Sequence, residues 1–234
     1  MAWVTLNDVN PGGGWGAIAI QAPVVDKFDA IAYGERTARQ WMAGSTGFHR
    51  TVENNGGVLE TLEEPDQIMM AIAYDDDDSI TIYRNGEIYA DAASASKGAL
   101  LTYNSDDFVV FGRRVFGAPP NMNGFIDEAR IYGAALSLGQ IRALFEEGPV
   151  PQVTVTPRHQ WTFNVNMRDS IGGAHGTEVI GNARLEAGRL VLGGGIDEVL
   201  TDPIGEELRA KTLVAWVSLN DVNPGGGSFA PRQT

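Results

Sequence analysis

Carboxylates are the most chemically suggestive side chains in this chain. An adjacent pair occurs twice in strand-like surroundings, as Asp127-Glu128 in GFIDEAR and as Asp197-Glu198 in GIDEVL. Cleaving a glycosidic bond takes two carboxyl groups flanking that bond, one as acid and one as nucleophile or base. Neighbouring residues on a strand point to opposite faces, so neither pair converges on one substrate atom. Four consecutive aspartates, Asp75 to Asp78, form an acidic tip in YDDDDS. Calcium takes about six to eight oxygen ligands, of which such a tip supplies roughly two or three. Asp75 and Asp77 are the candidates there, although the spaced ligands of an EF-hand loop are missing. A solvated turn is the competing reading.

A second vocabulary lies between Tyr33 and Arg50, YGERTARQWMAGSTGFHR. Sugars are held by aromatic faces stacked on the ring and by polar groups that fix the hydroxyls. Tyr33, Arg39, Trp41 and His49 are therefore the candidate ligand-binding residues. The same stretch also reads as two alternating strands with Trp41 and Phe48 facing inward, and core is the preferred reading of Trp41. The remaining histidines are His159 and His175, the latter in the turn-like GGAHGT. There is no Gly-x-Ser-x-Gly, no His-Glu-x-x-His and no phosphate-binding glycine loop.

The elements that must position these groups are nearly all β. WGAIAI from Trp15, DAIAYG from Asp29, IMMAIAY from Ile68, DFVVFG from Asp107 and KTLVAWVSLN from Lys211 are strand-like. SITIYRNGEIYAD, Ser79 to Asp91, predicts a hairpin, because Asn85-Gly86 suits the positive φ angles of a type I′ turn. One helix is expected over Ser137 to Glu147, with Ser137 and Gln140 at capping-box spacing and Gly148-Pro149 ending it. Many short strands and one helix predict an all-β, two-sheet antiparallel sandwich.

Composition bounds the partners. Hydrophobic residues make up 43% of the 234 and the formal net charge is −13. That charge makes nucleic acid and anionic membrane surfaces poor partners. No apolar run approaches the ~18 residues of a membrane span, so no membrane insertion is expected. The absence of cysteine excludes disulfides and thiolate chemistry.

The chain also repeats itself. AWVTLNDVNPGGG at 2–14 and AWVSLNDVNPGGG at 215–227 agree at twelve of thirteen positions, with an offset of 213 residues. Short-period arrays repeat every ~20–50 residues, so this period is that of a whole domain. The expected organisation is a window on tandem domains: 1–148 as the C-terminal part of one domain, 149–158 as linker, 159–227 as the N-terminal part of the next, and 228–234 as a tail. The two parts are expected to close as one circularly permuted sandwich. The C-terminal copy is expected to take the shared strand position, because it keeps Lys211 to Val214 ahead of the repeat. A monomer is expected, with a domain-swapped dimer as the rival outcome.

Three segments, taken in permuted order, resemble the laminin-G-like group of concanavalin-A-type jelly rolls. HQWTFNVNMRDSIGGAHGTEVIGNARLEAGRLVLGGGIDEVLTDP is similar to that family's first strands, and IMMAIAYDDDDSITIYRNGEIYADAA to its central hairpin. NGFIDEARIYGAALSLGQIRALFEEG is similar to its closing strand and helix. The resemblance implies a jelly roll, a secreted or cell-surface location, and a structural calcium to which Asp169 of RDSIGG and Asp127 would contribute. Asp169 as an Asx-turn acceptor and Asp127 as a partner to its neighbouring strand are the competing roles. Catalytic relatives carry Glu-x-Asp-x-x-Glu on one strand, and that spacing does not occur here. The expected function is a non-catalytic carbohydrate-binding or adhesion module of an extracellular multidomain protein. The alternatives are a structural spacer and an accessory domain of a polysaccharide-degrading enzyme.

Overall fold

WGAIAIQ, FDAIAY and IMMAIAY are apolar at almost every position, the pattern of strands covered on both faces. In the computed structural model they form β1 (Trp15–Gln21), β2 (Phe28–Tyr33) and β4 (Ile68–Tyr74), and every residue of the three is buried. The structure describes residues 14–23, 27–48, 50, 59–60, 68–89, 94–95, 99–116, 121–146 and 156–219. The other strands are β3 (Trp41–Ser45), β5 (Ser79–Arg84), β6 (Glu87–Ile88), β7 (Ser94–Ala95), β8 (Phe108–Phe111) and β9 (Asn123–Tyr132). After the helix α1 (Leu138–Glu146) come β10 (His159–Trp161), β11 (Gly176–Ile180), β12 (Arg184–Glu186), β13 (Arg189–Gly193), β14 (Glu198–Thr201) and β15 (Lys211–Leu219).

These strands build two antiparallel sheets, a jelly-roll sandwich with one helix. The smaller sheet runs β11-β14-β8-β1-β2-β3. The larger runs β12-β13-β9-β15-β4-β5-β6, with β10 also paired to β9 and β7 to β5. Both sheets therefore contain strands from 15–146 and from 159–219, side by side in the smaller sheet and interleaved at β9-β15-β4 in the larger. β15 sits at the centre of the larger sheet, with Ala215 opposite Met70 on one side and Ala129 on the other. The copy of the repeat that fills this position is thus the C-terminal one. The N-terminal copy, 2–14, lies outside the described residues except for Gly14.

The turns follow local chemistry. Asn85 and Gly86 have φ of 51° and 84°, the left-handed pair that joins β5 to β6. Ser137 N–H donates to Gln140 Oε1 at 2.9 Å, and Gln140 N–H returns to Ser137 Oγ at 3.4 Å, the capping box that starts α1. Thr212 points to the outer face of the larger sheet and accepts the Leu136 N–H at 3.0 Å, which anchors the segment leading into α1. Ile141 and Leu144 of α1 are buried, and Phe145 packs on Gly86. The second strand expected before Arg50 is instead a 3-10 turn, Thr46–Phe48, with Gly47 at φ 56°. Phe48 is only half-buried there, under the Arg36 guanidinium at 4.9 Å.

Between the sheets lie Trp15, Tyr33 and Trp41, with ring centroids 4.9 to 5.6 Å apart. A second aromatic group, Phe111, Trp161 and Phe163, joins residues of both halves. A polar cluster between the sheets interrupts this core. Asp29 of β2 accepts from Lys211 Nζ of β15 at 3.0 Å and from Arg50 Nε at 3.0 Å. A carboxylate buried without a partner costs several kcal/mol, and two cations reach this one. Burial pulls the Lys211 ammonium below its ordinary value, opposed by Asp29.

Candidate functional site

The site begins with a turn. β10 runs along β9 with His159 opposite Ile131 and Trp161 opposite Ala129, so both rings face inward and stack at 5.7 Å. Ten residues on, Asp169 folds RDSIGGA around its own carboxylate. Oδ1 accepts the N–H groups of Gln160 at 3.1 Å, Ile171 at 3.1 Å and Gly172 at 2.9 Å. Oδ2 accepts the Ala174 N–H at 3.2 Å and lies 2.6 Å from His159 Nδ1. Burial pushes the Asp169 carboxyl up, but the bonds from His159 and these backbone groups outweigh it and hold the group below the usual range. Asp169 is therefore ionised, and His159 donates from Nδ1. Gly172 is required for this contact: a Cβ there would stand 2.5 Å from His159 Nδ1 and 2.7 Å from Asp169 Oδ2.

On its other side His159 Nε2 faces Glu206 Oε1 at 3.3 Å, outside hydrogen-bond geometry. Glu206 forms one wall of a cleft of about 540 Å³ at the edge of the sandwich. Arg158 forms another wall, 61% exposed, with Nε 3.8 Å from Glu206 Oε2. That separation is too long for a hydrogen bond, so the guanidinium donors and the carboxylate acceptors remain open to a ligand. Gly133 leaves room for the Arg158 side chain, which would lie 3.1 Å from any Cβ added there. Pro157 and Ile171 add apolar surface to the same cleft. The volume falls within the ~300–1,000 Å³ of small-ligand sites. His159 Nε2 is buried, so the imidazole supports the wall and does not meet the cleft contents.

The adjacent carboxylates are engaged separately, but not by simple alternation at the first pair: a β-bulge at Asp127 interrupts the register of β9 with β15, against the opposite-face expectation. Asp127 pairs with Arg189 at 2.9 Å, while Glu128 takes Arg130 Nε and Gln160 Nε2, each at 2.5 Å. Asp197 accepts the N–H groups of Asn182 at 2.6 Å and Gly193 at 2.8 Å, while Glu198 lies 3.2 Å from Arg113. Burial pushes the Glu198 carboxyl up, with Arg113 opposing it.

The residues expected to bind ligand are placed differently. Tyr33 and Trp41 face each other across β2 and β3 at 0% exposure, so neither ring presents a face to a sugar. Trp41 Nε1 donates to Glu60 Oε1 at 2.9 Å, and Arg84 pairs with the same carboxylate at 2.7 Å. Arg39, at φ 67°, donates to the Glu60 carbonyl at 2.7 and 2.9 Å. Trp41 and half-buried Arg39 thus support Glu60, Tyr33 packs against Trp15 and Trp41, and none of them forms a platform. His49 lies outside the described residues. The metal candidates also have protein partners. Asp127 is held by Arg189 and Asp169 by His159 and backbone N–H groups, so the two do not form one ligand set. Asp75 accepts the Asp76 N–H at 2.7 Å and Asp77 the Ser79 N–H at 2.9 Å, while Arg209 neutralises Asp76 at 2.6 Å. This is a hydrogen-bonded turn. Among the described residues no three His, Cys, Asp or Glu side chains gather as a metal cluster.

Arg158, Glu206 and His159 were not among the residues singled out by sequence. Arg158 sat at the end of a proline-rich connection and Glu206 in an ordinary acidic run. Only HQW, a histidine two residues from a buried tryptophan, carried a signal, since that spacing puts both on one face of a strand.

Among the described residues no helix is long and apolar enough to cross a membrane. Neither the curated proteins nor the solved structures compared with the chain gave a match. The Laminin_G_3 family does match, over residues 2–142. With the two antiparallel sheets and the closing strand and helix in place, that match settles the lineage: the chain belongs to Laminin_G_3, within the concanavalin A-like lectin/glucanase superfamily.

Proposed function

We propose that the chain is a non-catalytic carbohydrate-binding or adhesion module of an extracellular multidomain protein, and that its sugar site is the cleft between Arg158 and Glu206. The observation that carries this is a guanidinium and a carboxylate held 3.8 Å apart in an open cleft beside Pro157 and Ile171. A pyranose offers hydroxyls that both donate and accept, together with an apolar C–H face, and such a cleft meets both. The superfamily supports the ligand class. The separate engagement of each neighbouring carboxylate supports a binding rather than a hydrolytic role.

A glycan array probed with the wild-type chain, Arg158→Ala and Glu206→Ala tests this reading. Retention of a defined glycan set by the wild type, weakened at least ~10-fold in both variants, is expected; that loss corresponds to about 1.4 kcal/mol. An empty array, or glycans retained equally by both variants, would sink it in favour of a structural spacer.

A further inference from the structure

Residues 15–146 supply β1 to β9 and α1, and residues 159–219 supply β10 to β15. The closure of the sandwich is made between these groups. β15 lies between β9 and β4, β13 and β10 lie along β9, and β14 pairs with β8. The buried Asp29–Lys211 pair and the Tyr103–Leu208 bridge also cross from one group to the other. A single covalent connection, 147–158, joins them. Complementary surfaces of this kind fit equally well whether the two groups belong to one chain or to two.

A second observation comes from the repeat. The Laminin_G_3 match runs unbroken from 2 to 142, so the family's own order includes the segment Ala2 to Leu6 upstream of β1. In the fold, however, the central position between β4 and β9 is taken by Lys211–Leu219, whose last five residues repeat that segment with one difference, Ser218 for Thr5. The chain carries two segments written for one position.

We propose that the β4–β9 slot also accepts β15 from a second copy of the chain, so that chains link head to tail, each lending 159–219 to the next. The partner then contributes to the cleft: Gly133 and Ala134 come from one chain, Ile171, Gly172 and Glu206 from its neighbour. Such a contact is heterologous and either closes as a ring or continues as a filament. Linked and closed forms make the same contacts, so effective concentration sets the balance between them. For a short linker it is on the order of millimolar. Exchanging partners requires strands to leave both sheets, so each form persists on the timescale of unfolding.

The test uses the full chain, unfolded in guanidinium and refolded at ~10 µM, about 100-fold below that effective value, and at ~1 mM, comparable with it. Light scattering after size separation is expected to show monomer at the lower concentration. At the higher one it is expected to show several-fold more dimer and larger species, which survive dilution for hours. Co-refolding Asp29→Ala with Lys211→Ala at the high concentration identifies the exchange, because linked chains then contain one sandwich with both Asp29 and Lys211. A thermal transition at the wild-type temperature, absent from either variant alone, is the expected signature. If a variant fails to fold, the concentration series decides alone. Monomer at both concentrations, or large species that fall apart on dilution without unfolding, overturns the proposal.

Discussion

Lys211 Nζ lies 3.0 Å from Asp29 Oδ2 with both side chains at 0% exposure, so one buried ion pair ties the centre of the larger sheet to the smaller one. Arg50 takes the other carboxylate oxygen, and the Lys211 ammonium stands over the Tyr74 and Tyr103 rings at 4.2 and 4.8 Å. The cluster holds one anion and two cations. Asp29→Ala leaves both cations uncompensated and is expected to cost ~3–5 kcal/mol. Lys211→Met leaves Asp29 still paired with Arg50 and is expected to cost less than half as much. Urea unfolding at pH 7 checks the asymmetry, and equal losses would contradict it.

Alkaline pH reads the same core from another side. Burial pushes the phenols of Tyr74, Tyr83, Tyr89, Tyr103 and Tyr132 above their ordinary value of 10.0. Groups raised on folding lend stability that is fully present below pH 10 and is lost as pH rises, because the unfolded chain releases their protons first. Lys211, lowered by burial, acts in the opposite direction below its ordinary 10.5, but one group is outnumbered by five. Absorbance at ~295 nm is expected to stay flat past pH 10 and then rise together with the loss of circular dichroism. A smooth titration centred on 10 in the folded protein would contradict this.

Acid acts through the turn that backs the cleft. The Asp169 carboxyl is held below its ordinary 3.8, so its contribution is present above that value and lost as pH falls through its folded value. Asp169→Asn is expected to flatten the acid limb of the stability profile. Gly172→Ala, which places a methyl against the His159–Asp169 contact, is expected to destabilise at neutral pH by ~1–3 kcal/mol, the cost of overpacking. A neutral Gly172→Ala would show that the pair is looser than its 2.6 Å separation.

The fold was legible wherever a local rule was sufficient. The apolar runs at β1, β4 and β15, the Asn85-Gly86 turn and the Ser137 capping box each identified their element within a residue or two. The ligand residues were not legible. The tryptophan, tyrosine and arginine that suit a sugar platform also suit a core, and Glu60, distant in sequence, is what draws Trp41 and Arg39 inward. The cleft is assembled from Gly133, Arg158, Gly172 and Glu206 on separate stretches of chain, and no spacing in the sequence brings those together.

Trp41 separates the two readings of that segment by experiment. As a core residue with its indole N–H bonded to Glu60, Trp41→Ala is expected to cost ~3–5 kcal/mol. The cost is expected without a selective loss of glycan binding in the protein that remains folded. A stable Trp41→Ala chain that no longer holds glycan would return the site to β3.

Ligand is expected to enter the cleft built jointly by the two halves of the chain. The most direct test is a titration of uniformly 15N-labelled protein with the strongest glycan from the array, followed by amide and arginine Nε shifts. The expected shifts are confined to Gly133, Ala134, Thr156, Arg158, Ile171, Gly172 and Glu206, and disappear in Glu206→Ala. Shifts that instead cluster at the Asp75 to Asp78 turn, or between Tyr33 and Phe48, with the cleft silent, would contradict the account.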